Sequence, residues 1–162
     1  MSSHPDLDAM ARKVVDSNHY MTLATRDRAG RPRLSPVYYT CARYSDFYWV
    51  SSPDAQHSRN IAECSQVEIV IFDSTAPVGE SEGVYISASA SAVADEQYDS
   101  IWAEAFRSTA GARRFTADEL HDCGLRLYVA GARSLEVHVA ARHPVHGRGV
   151  DTRQPAETAA HG

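Results

Sequence analysis

Short runs of β-branched and aromatic residues, separated by brief polar or glycine-containing breaks, recur along most of this chain. They lie at residues 20–25, 33–41, 47–50, 67–72, 84–93, 125–129 and 135–139. No regular alternation of strands with long helical crossovers is present, which disfavours a doubly wound parallel sheet. The pattern predicts a mostly β fold with short α-helices, in which antiparallel strands form a closed or nearly closed barrel.

Several short helices are expected between the strands. Apolar residues recur at helical spacing over residues 6–18 and 95–107. Pro53 suits the first turn of a helix that continues to Cys64. Thr116 and Glu119 have the spacing of a capping box. Pro36 inside the second strand predicts an edge position or a place where no ladder hydrogen bond is needed, because proline cannot donate one.

The length of 162 residues is typical of a single domain. Residues 1–144 are assigned to that domain. Residues 145–162, which are rich in glycine, proline, arginine and alanine, are predicted to be a mobile C-terminal tail.

The charge balance and cysteine content exclude several classes of protein. A net charge of −5 argues against a general nucleic-acid-binding role, since a phosphate backbone requires a basic face. No apolar run is long enough for a membrane span and no signal peptide is recognisable, so a cytoplasmic location is expected. Cys41, Cys64 and Cys123 are irregularly spaced, which predicts buried thiols and no metal site.

No catalytic motif such as GxSxG, GxGxxG, GxxxxGK or HExxH occurs, and no catalytic residue is assigned. The segment Ser51–Asn60 is more informative, because hydrogen-bonding side chains surround the start of a predicted helix. The unpaired N–H groups at a helix start form a natural seat for an anion, and Arg59 could add a charged contact. Alternatively, Ser52 and Asp54 only cap the helix; the residues alone do not decide between these interpretations.

The order of several short segments resembles the pyridoxamine 5'-phosphate oxidase-like, FMN-binding split-barrel family over roughly residues 7–140. The matching segments are Thr22-Leu-Ala-Thr25, Gly30-Arg-Pro-Arg-Leu-Ser-Pro-Val37, Phe47-Tyr-Trp-Val-Ser-Ser52, His57-Ser-Arg-Asn-Ile61, Val67-Glu-Ile-Val-Ile71 and Val84-Tyr-Ile-Ser-Ala88.

This resemblance implies a homodimer that binds FMN at the interface between its subunits. By the same resemblance, the isoalloxazine ring lies along Ser35, Pro36, Val37 and Tyr38, and the phosphate is held by Ser51, Ser52, His57, Ser58 and Arg59. Without a partner, apolar strand faces around Tyr38, Trp49 and Tyr85 are expected to be exposed.

The chain departs from the true oxidase at positions that carry charge. Ser35 and the pair Gln56-His57 replace basic residues of the family, Thr40 replaces its substrate-side lysine, and Gly83 replaces a glutamine. The resemblance therefore implies an FMN-dependent oxidoreductase of an unidentified small molecule, and not a vitamin B6 phosphate oxidase.

Two alternatives stay open. One is a deazaflavin-dependent reductase of the same fold. The other is a non-catalytic flavin- or haem-binding module, in which His57, His138 or His143 would be candidate iron ligands.

Overall fold

The strands lie in one antiparallel sheet in the order β2-β1-β5-β6-β7-β4-β3, with β8 paired to β7. This computed structural model describes residues 4–106 and 116–158. The strand bounds are β1 Tyr20–Arg26, β2 Pro32–Tyr38, β3 Thr40–Ala42, β4 Asp46–Ser51, β5 Gln66–Phe72, β6 Gly83–Ala92, β7 Arg126–Val139 and β8 Thr152–Pro155.

The two ends of the sheet order, β2 and β3, are consecutive in the chain and separated only by Tyr39. The sheet therefore bends back on itself at this residue and forms the split barrel that the sequence predicts. Tyr39 fixes the corner: its buried hydroxyl donates a 2.6 Å hydrogen bond to the carbonyl oxygen of Val15, and its N–H donates to the carbonyl of His19.

Within residues 4–106 and 116–158, four short α-helices cover parts of the barrel: α1 Pro5–Ser17, α2 Gln56–Glu63, α3 Tyr98–Ala105 and α4 Ala117–Asp122. The capping box at α4 is confirmed, since Thr116 Oγ1 accepts the Glu119 N–H at 3.2 Å and the Glu119 carboxylate accepts the Thr116 N–H at 2.8 Å. Arg107, the last residue of the predicted 95–107 helix, lies outside the described residues. No helix in the described ranges is long and apolar enough to cross a membrane.

Two apolar clusters meet at β4. Phe47 and Trp49 point into the barrel core, whereas Tyr48 on the opposite face packs in a second cluster with Trp102 of α3 and Leu120 of α4. Both faces of β4 are therefore covered. The expected exposure of Trp49 is wrong, because this side chain is only 1% exposed and stacks on Tyr128.

The final strands differ from the prediction. Two strands separated by Ala130–Ser134 were expected, but β7 runs without a break from Arg126 to Val139. Its first part pairs with β4 on one side and with β6 on the other, and this double pairing compensates for the weak β propensity of the alanines and glycine.

Part of the predicted mobile tail is a strand. Thr152–Pro155 forms β8, which pairs antiparallel with residues 136–139 of β7. The loop before it is closed by hydrogen bonds from Gly147 N–H to the His143 carbonyl and from Gly149 N–H to the Ala141 carbonyl. Residues 159–162 of the predicted tail lie outside the described part of the chain.

Candidate functional site

The segment Ser35–Tyr38, predicted to line a flavin ring, lies on β2 at the edge of the sheet. Among the described residues, β2 forms ladder bonds with β1 alone. Its outer edge therefore keeps unpaired backbone N–H and C=O groups, which can bond to a planar heterocycle. Pro36 occupies this edge strand, as predicted, with Val37 buried in the barrel and Tyr38 exposed.

The predicted phosphate segment forms the end of β4, a turn, and the start of α2. Ser52 Oγ accepts the N–H of Asp54 at 3.1 Å and its carbonyl accepts the N–H of Ala55, so Ser52 organises the turn. Ala55 is the N-cap of α2, and no side chain in the described part of the chain caps this helix. The capping interpretation is therefore wrong, and so is the placement of Pro53 in the first helical turn.

Ser58 lies in the first turn of α2 and is 3% exposed. Its Oγ has no hydrogen-bond partner among the described residues. A buried hydroxyl without a partner costs free energy, and a bound oxyanion would remove that cost. Together with the uncapped N–H groups, Ser58 fits an anionic ligand at this helix start.

Ser51 and His57 form a pair across the same turn. The distance between Ser51 Oγ and His57 Nε2 is 2.8 Å, and both side chains are half-buried. Burial lowers the pKa of His57 below its ordinary value. The imidazole is therefore neutral near pH 7 and contributes hydrogen bonding without a positive charge.

Arg59 is exposed on α2 and supplies the cation of this segment. Its guanidinium donates to the carbonyl oxygen of Asp54, and a second nitrogen lies 3.5 Å from Gln56 Oε1. These contacts hold the guanidinium over the turn at the start of α2, where it could also reach a bound anion.

The two predicted segments meet through α2, which packs against β1 and also contacts β2. Sequence reasoning missed the bond that fixes this arrangement: buried Asn60 Nδ2 donates to Thr25 Oγ1 of β1 at 2.8 Å. Asn60 also accepts from Gln56 Nε2, one helical turn earlier, at 2.8 Å. The i, i+4 spacing of these two amides was the available signal.

A second concave surface was not predicted from the sequence. Two adjoining cavities, of about 400 and 550 Å³, lie over β1, β5 and β6 and share Ala24, Glu68 and Ser87 in their walls. We call this surface the outer groove. The Glu68 carboxylate accepts the Ser87 hydroxyl at 2.8 Å within it.

The histidines considered as iron ligands already have partners. His57 is bonded to Ser51, and His143 Nδ1 accepts the N–H of His146 at 3.1 Å. His138 Nε2 lies 4.0 Å from a carboxylate oxygen of Asp151. Over residues 4–106 and 116–158, no group of three or more His, Cys, Asp or Glu side chains is arranged to hold a metal ion.

Residues 7–137 match the family model of pyridoxamine 5'-phosphate oxidase. The chain belongs to this family. The predicted family and fold are thereby confirmed. Among curated proteins, none matches the sequence significantly.

Solved structures of the same fold bind different prosthetic groups, according to their descriptions. A haem-binding protein from Mycobacterium smegmatis has 21% identity and a TM-score of 0.68; the match covers 98% of this chain but only 62% of that protein. A FAD-binding protein from Mesorhizobium loti has 14% identity and a TM-score of 0.60, and the match covers 80% of this chain and 91% of that protein. HutZ, the haem storage protein from Vibrio cholerae, has 19% identity and a TM-score of 0.60, and the match covers 80% of this chain and 92% of that protein. At these identities the likeness shows the fold alone.

Proposed function

We propose that this chain is an FMN-dependent oxidoreductase that acts on a small molecule. The observation that carries the proposal is the start of α2, where uncapped N–H groups and the buried, unpartnered Ser58 hydroxyl lie near an edge strand. A helix start suits a phosphate, and a free strand edge suits a planar ring, which together describe a flavin mononucleotide.

Two groups of residues would bind different parts of the cofactor. Ser51, Ser52, Ser58 and the N–H groups of α2 would bond to the phosphate oxygens, and Arg59 would balance charge. Backbone groups of Ser35–Tyr38 would orient the ring. When bound, FMN supplies hydride transfer, so the protein has to provide only binding, orientation and a donor near the ring.

Vitamin B6 phosphate oxidation is not the proposed reaction. Thr40, at the position of the family's substrate-side lysine, is buried and carries no positive charge with which to bind a substrate phosphate. Gly83 is buried and offers no side chain at the position of the family's glutamine. The substrate is therefore a different small molecule.

We further propose that the protein works as a homodimer with the cofactor at the subunit interface. Support comes from Tyr20 and Leu34, which are 62% and 70% exposed on the outer face of β1 and β2. Leu34 also lines the outer groove.

The three free cysteines fit the reducing cytoplasm in which we place the protein.

The absorption spectrum of the purified protein, followed by titration with FMN, tests this proposal. We expect flavin bands in the visible region, or saturable quenching of FMN fluorescence by the apoprotein. A Soret band with no flavin bands would favour the haem-binding alternative. Binding of a deazaflavin but not of FMN would favour a deazaflavin-dependent reductase, and binding of none of these would overturn the proposal.

A further inference from the structure

Strand β7 brings a second guanidinium to the end of β4, where the proposed phosphate site begins. In the ladder between these strands, Arg126 stands directly opposite Ser51. Residues that face each other in an antiparallel ladder project from the same face of the sheet, with Cβ atoms about 4.5–5.5 Å apart. The Arg126 side chain therefore starts beside that of Ser51, although the two residues are far apart in the sequence.

Ser51 and Arg126 lie on the face of the sheet that points toward the barrel interior. Two residues along the same ladder, Trp49 stands opposite Tyr128, and both of these side chains lie in the barrel core. Because side chains alternate along each strand, Ser51 and Arg126 share that face, at the last pair of the ladder. The 2.8 Å contact between Ser51 Oγ and His57 Nε2 joins this position to the first turn of α2.

The Arg126 side chain is half-buried, and in residues 4–106 and 116–158 no carboxylate is paired with it. Its Nη1 donates a 2.7 Å hydrogen bond to the carbonyl oxygen of Leu125, the residue before β7. That bond leaves most of the five N–H donors of the guanidinium available. Taking a charged group partly out of water costs free energy unless an opposite charge faces it. A bound anion beside Ser51 would supply that opposite charge.

Arg59 and Arg126 bring positive charge to the start of α2 from two separate elements. Arg59 lies on α2 itself and donates to the carbonyl oxygen of Asp54, not to a carboxylate. Neither guanidinium is therefore neutralised by an acidic partner in the described part of the chain. Two guanidinium groups held by different elements can bind different oxygens of one phosphate group, and each such bond is charge-assisted.

We propose that Arg126 binds the flavin phosphate, together with Arg59 and the N–H groups at the start of α2. This inference rests on the proposed flavin function and adds to that site a residue from a different strand. It also gives a reason why Gln56 and His57 can occupy positions where the true oxidase has a basic pair. Arg126 supplies from β7 a positive charge that the turn before α2 lacks.

The test compares FMN with riboflavin, which has the same ring system but no phosphate. Dissociation constants of both probes for the full chain are measured by flavin fluorescence near neutral pH. The wild type should bind FMN more tightly than riboflavin. Arg126→Gln should weaken FMN binding by on the order of tenfold, because it removes a charge-assisted hydrogen bond, and should leave the riboflavin affinity unchanged.

Three further variants separate charge from shape and position. Arg126→Lys keeps a cation and should retain most of the preference for FMN. Arg126→Met keeps an unbranched side chain without charge, should behave like Arg126→Gln, and decides the test if Arg126→Gln does not fold. Arg142→Gln is the matched control, because this exposed arginine lies beyond the opposite end of β7 and its replacement should change neither affinity.

An Arg126→Gln variant that loses affinity for FMN and riboflavin by the same factor, or for neither, would overturn the inference and leave the flavin function intact. Equal effects of Arg126→Gln and Arg142→Gln on FMN binding would also overturn it, since they would indicate long-range electrostatics. So would equal wild-type affinities for FMN and riboflavin, because no phosphate contact would then contribute. If the wild type binds neither probe, both the inference and the proposed function fail.

Discussion

The ionisation state of His57 decides how much charge the site can offer a ligand. The family resemblance places this histidine at a position where relatives have a basic residue. The structure instead shows a half-buried ring bonded to Ser51, and burial lowers its pKa. No periodicity or spacing in the sequence reports this burial, because it depends on how α2 folds over the end of β4.

His57 should make stability depend on pH in a definite direction. Since its pKa is lower in the folded state, the unfolded state binds more protons once the pH falls below the ordinary value of about 6.5. The stability contributed by the neutral ring is therefore present above that pH and is lost as the pH falls. Urea unfolding should show that the free energy of unfolding falls less between pH 7.5 and pH 5 for His57→Gln than for the wild type. Equal losses would place His57 in a solvent-like environment.

Arg59 should matter more for ligand binding than for folding. Its guanidinium is exposed, and its partners are a backbone carbonyl and a distant amide oxygen. A charged hydrogen bond to phosphate contributes roughly 1.5–3 kcal/mol, so Arg59→Ala should weaken FMN binding by about one to two decades. The matched control is Arg148→Ala, which removes another exposed guanidinium outside the site and should leave the affinity unchanged. An equal effect of both variants would indicate non-specific electrostatics.

At the level of elements, local sequence signals predicted most helices and strands. The predicted capping box of α4 and the predicted edge position of Pro36 in β2 are confirmed, because each depends on local chemistry alone. The predicted gap in β7 is wrong. Residues 130–134 have weak β propensity, but pairing with the neighbouring strands keeps them in β7. Pairing between distant segments is not encoded in propensity, and the same reason explains why β8 was missed.

The loop between β7 and β8 depends on one glycine. A Cβ atom at Gly147 would lie 2.5 Å from the His143 carbonyl oxygen and 2.7 Å from the Ala141 carbonyl oxygen, and neither backbone atom can move easily. We expect Gly147→Ala to lower the free energy of unfolding by about 1–3 kcal/mol. Gly131→Ala is the control, since the nearest atom to its added Cβ is Asp46 Oδ1 at 3.8 Å. Chemical denaturation of both variants distinguishes a steric clash at Gly147 from the general effect of replacing a glycine by alanine. Equal destabilisation of the two variants would contradict the clash.

At the scale of the whole molecule, closure of the barrel brings the site together. Ser35–Tyr38 and Ser51–Arg59 belong to different elements, and α2 joins them by packing on β1 beside β2. The family resemblance could name these residues, but it could not foresee that Asn60 and Thr25 would fix the helix between them. Nor could it show that Trp49 is enclosed, since a run of four apolar residues in β4 does not reveal that both faces are covered.

The homodimer is the last prediction, and it concerns the outer face of β1 and β2. Leu34 is 70% exposed there, so Leu34→Glu should cost a monomer little but should place a charge inside a dimer interface. We expect the wild type to sediment as a dimer at micromolar concentration, and Leu34→Glu to shift toward monomer and bind FMN more weakly. Val78→Glu, at a fully exposed loop position, should change neither property. The outcome that contradicts the prediction is a monomeric wild type together with equal FMN affinities for the wild type and Leu34→Glu. In that case each subunit binds its cofactor alone, and the proposed interfacial site is wrong.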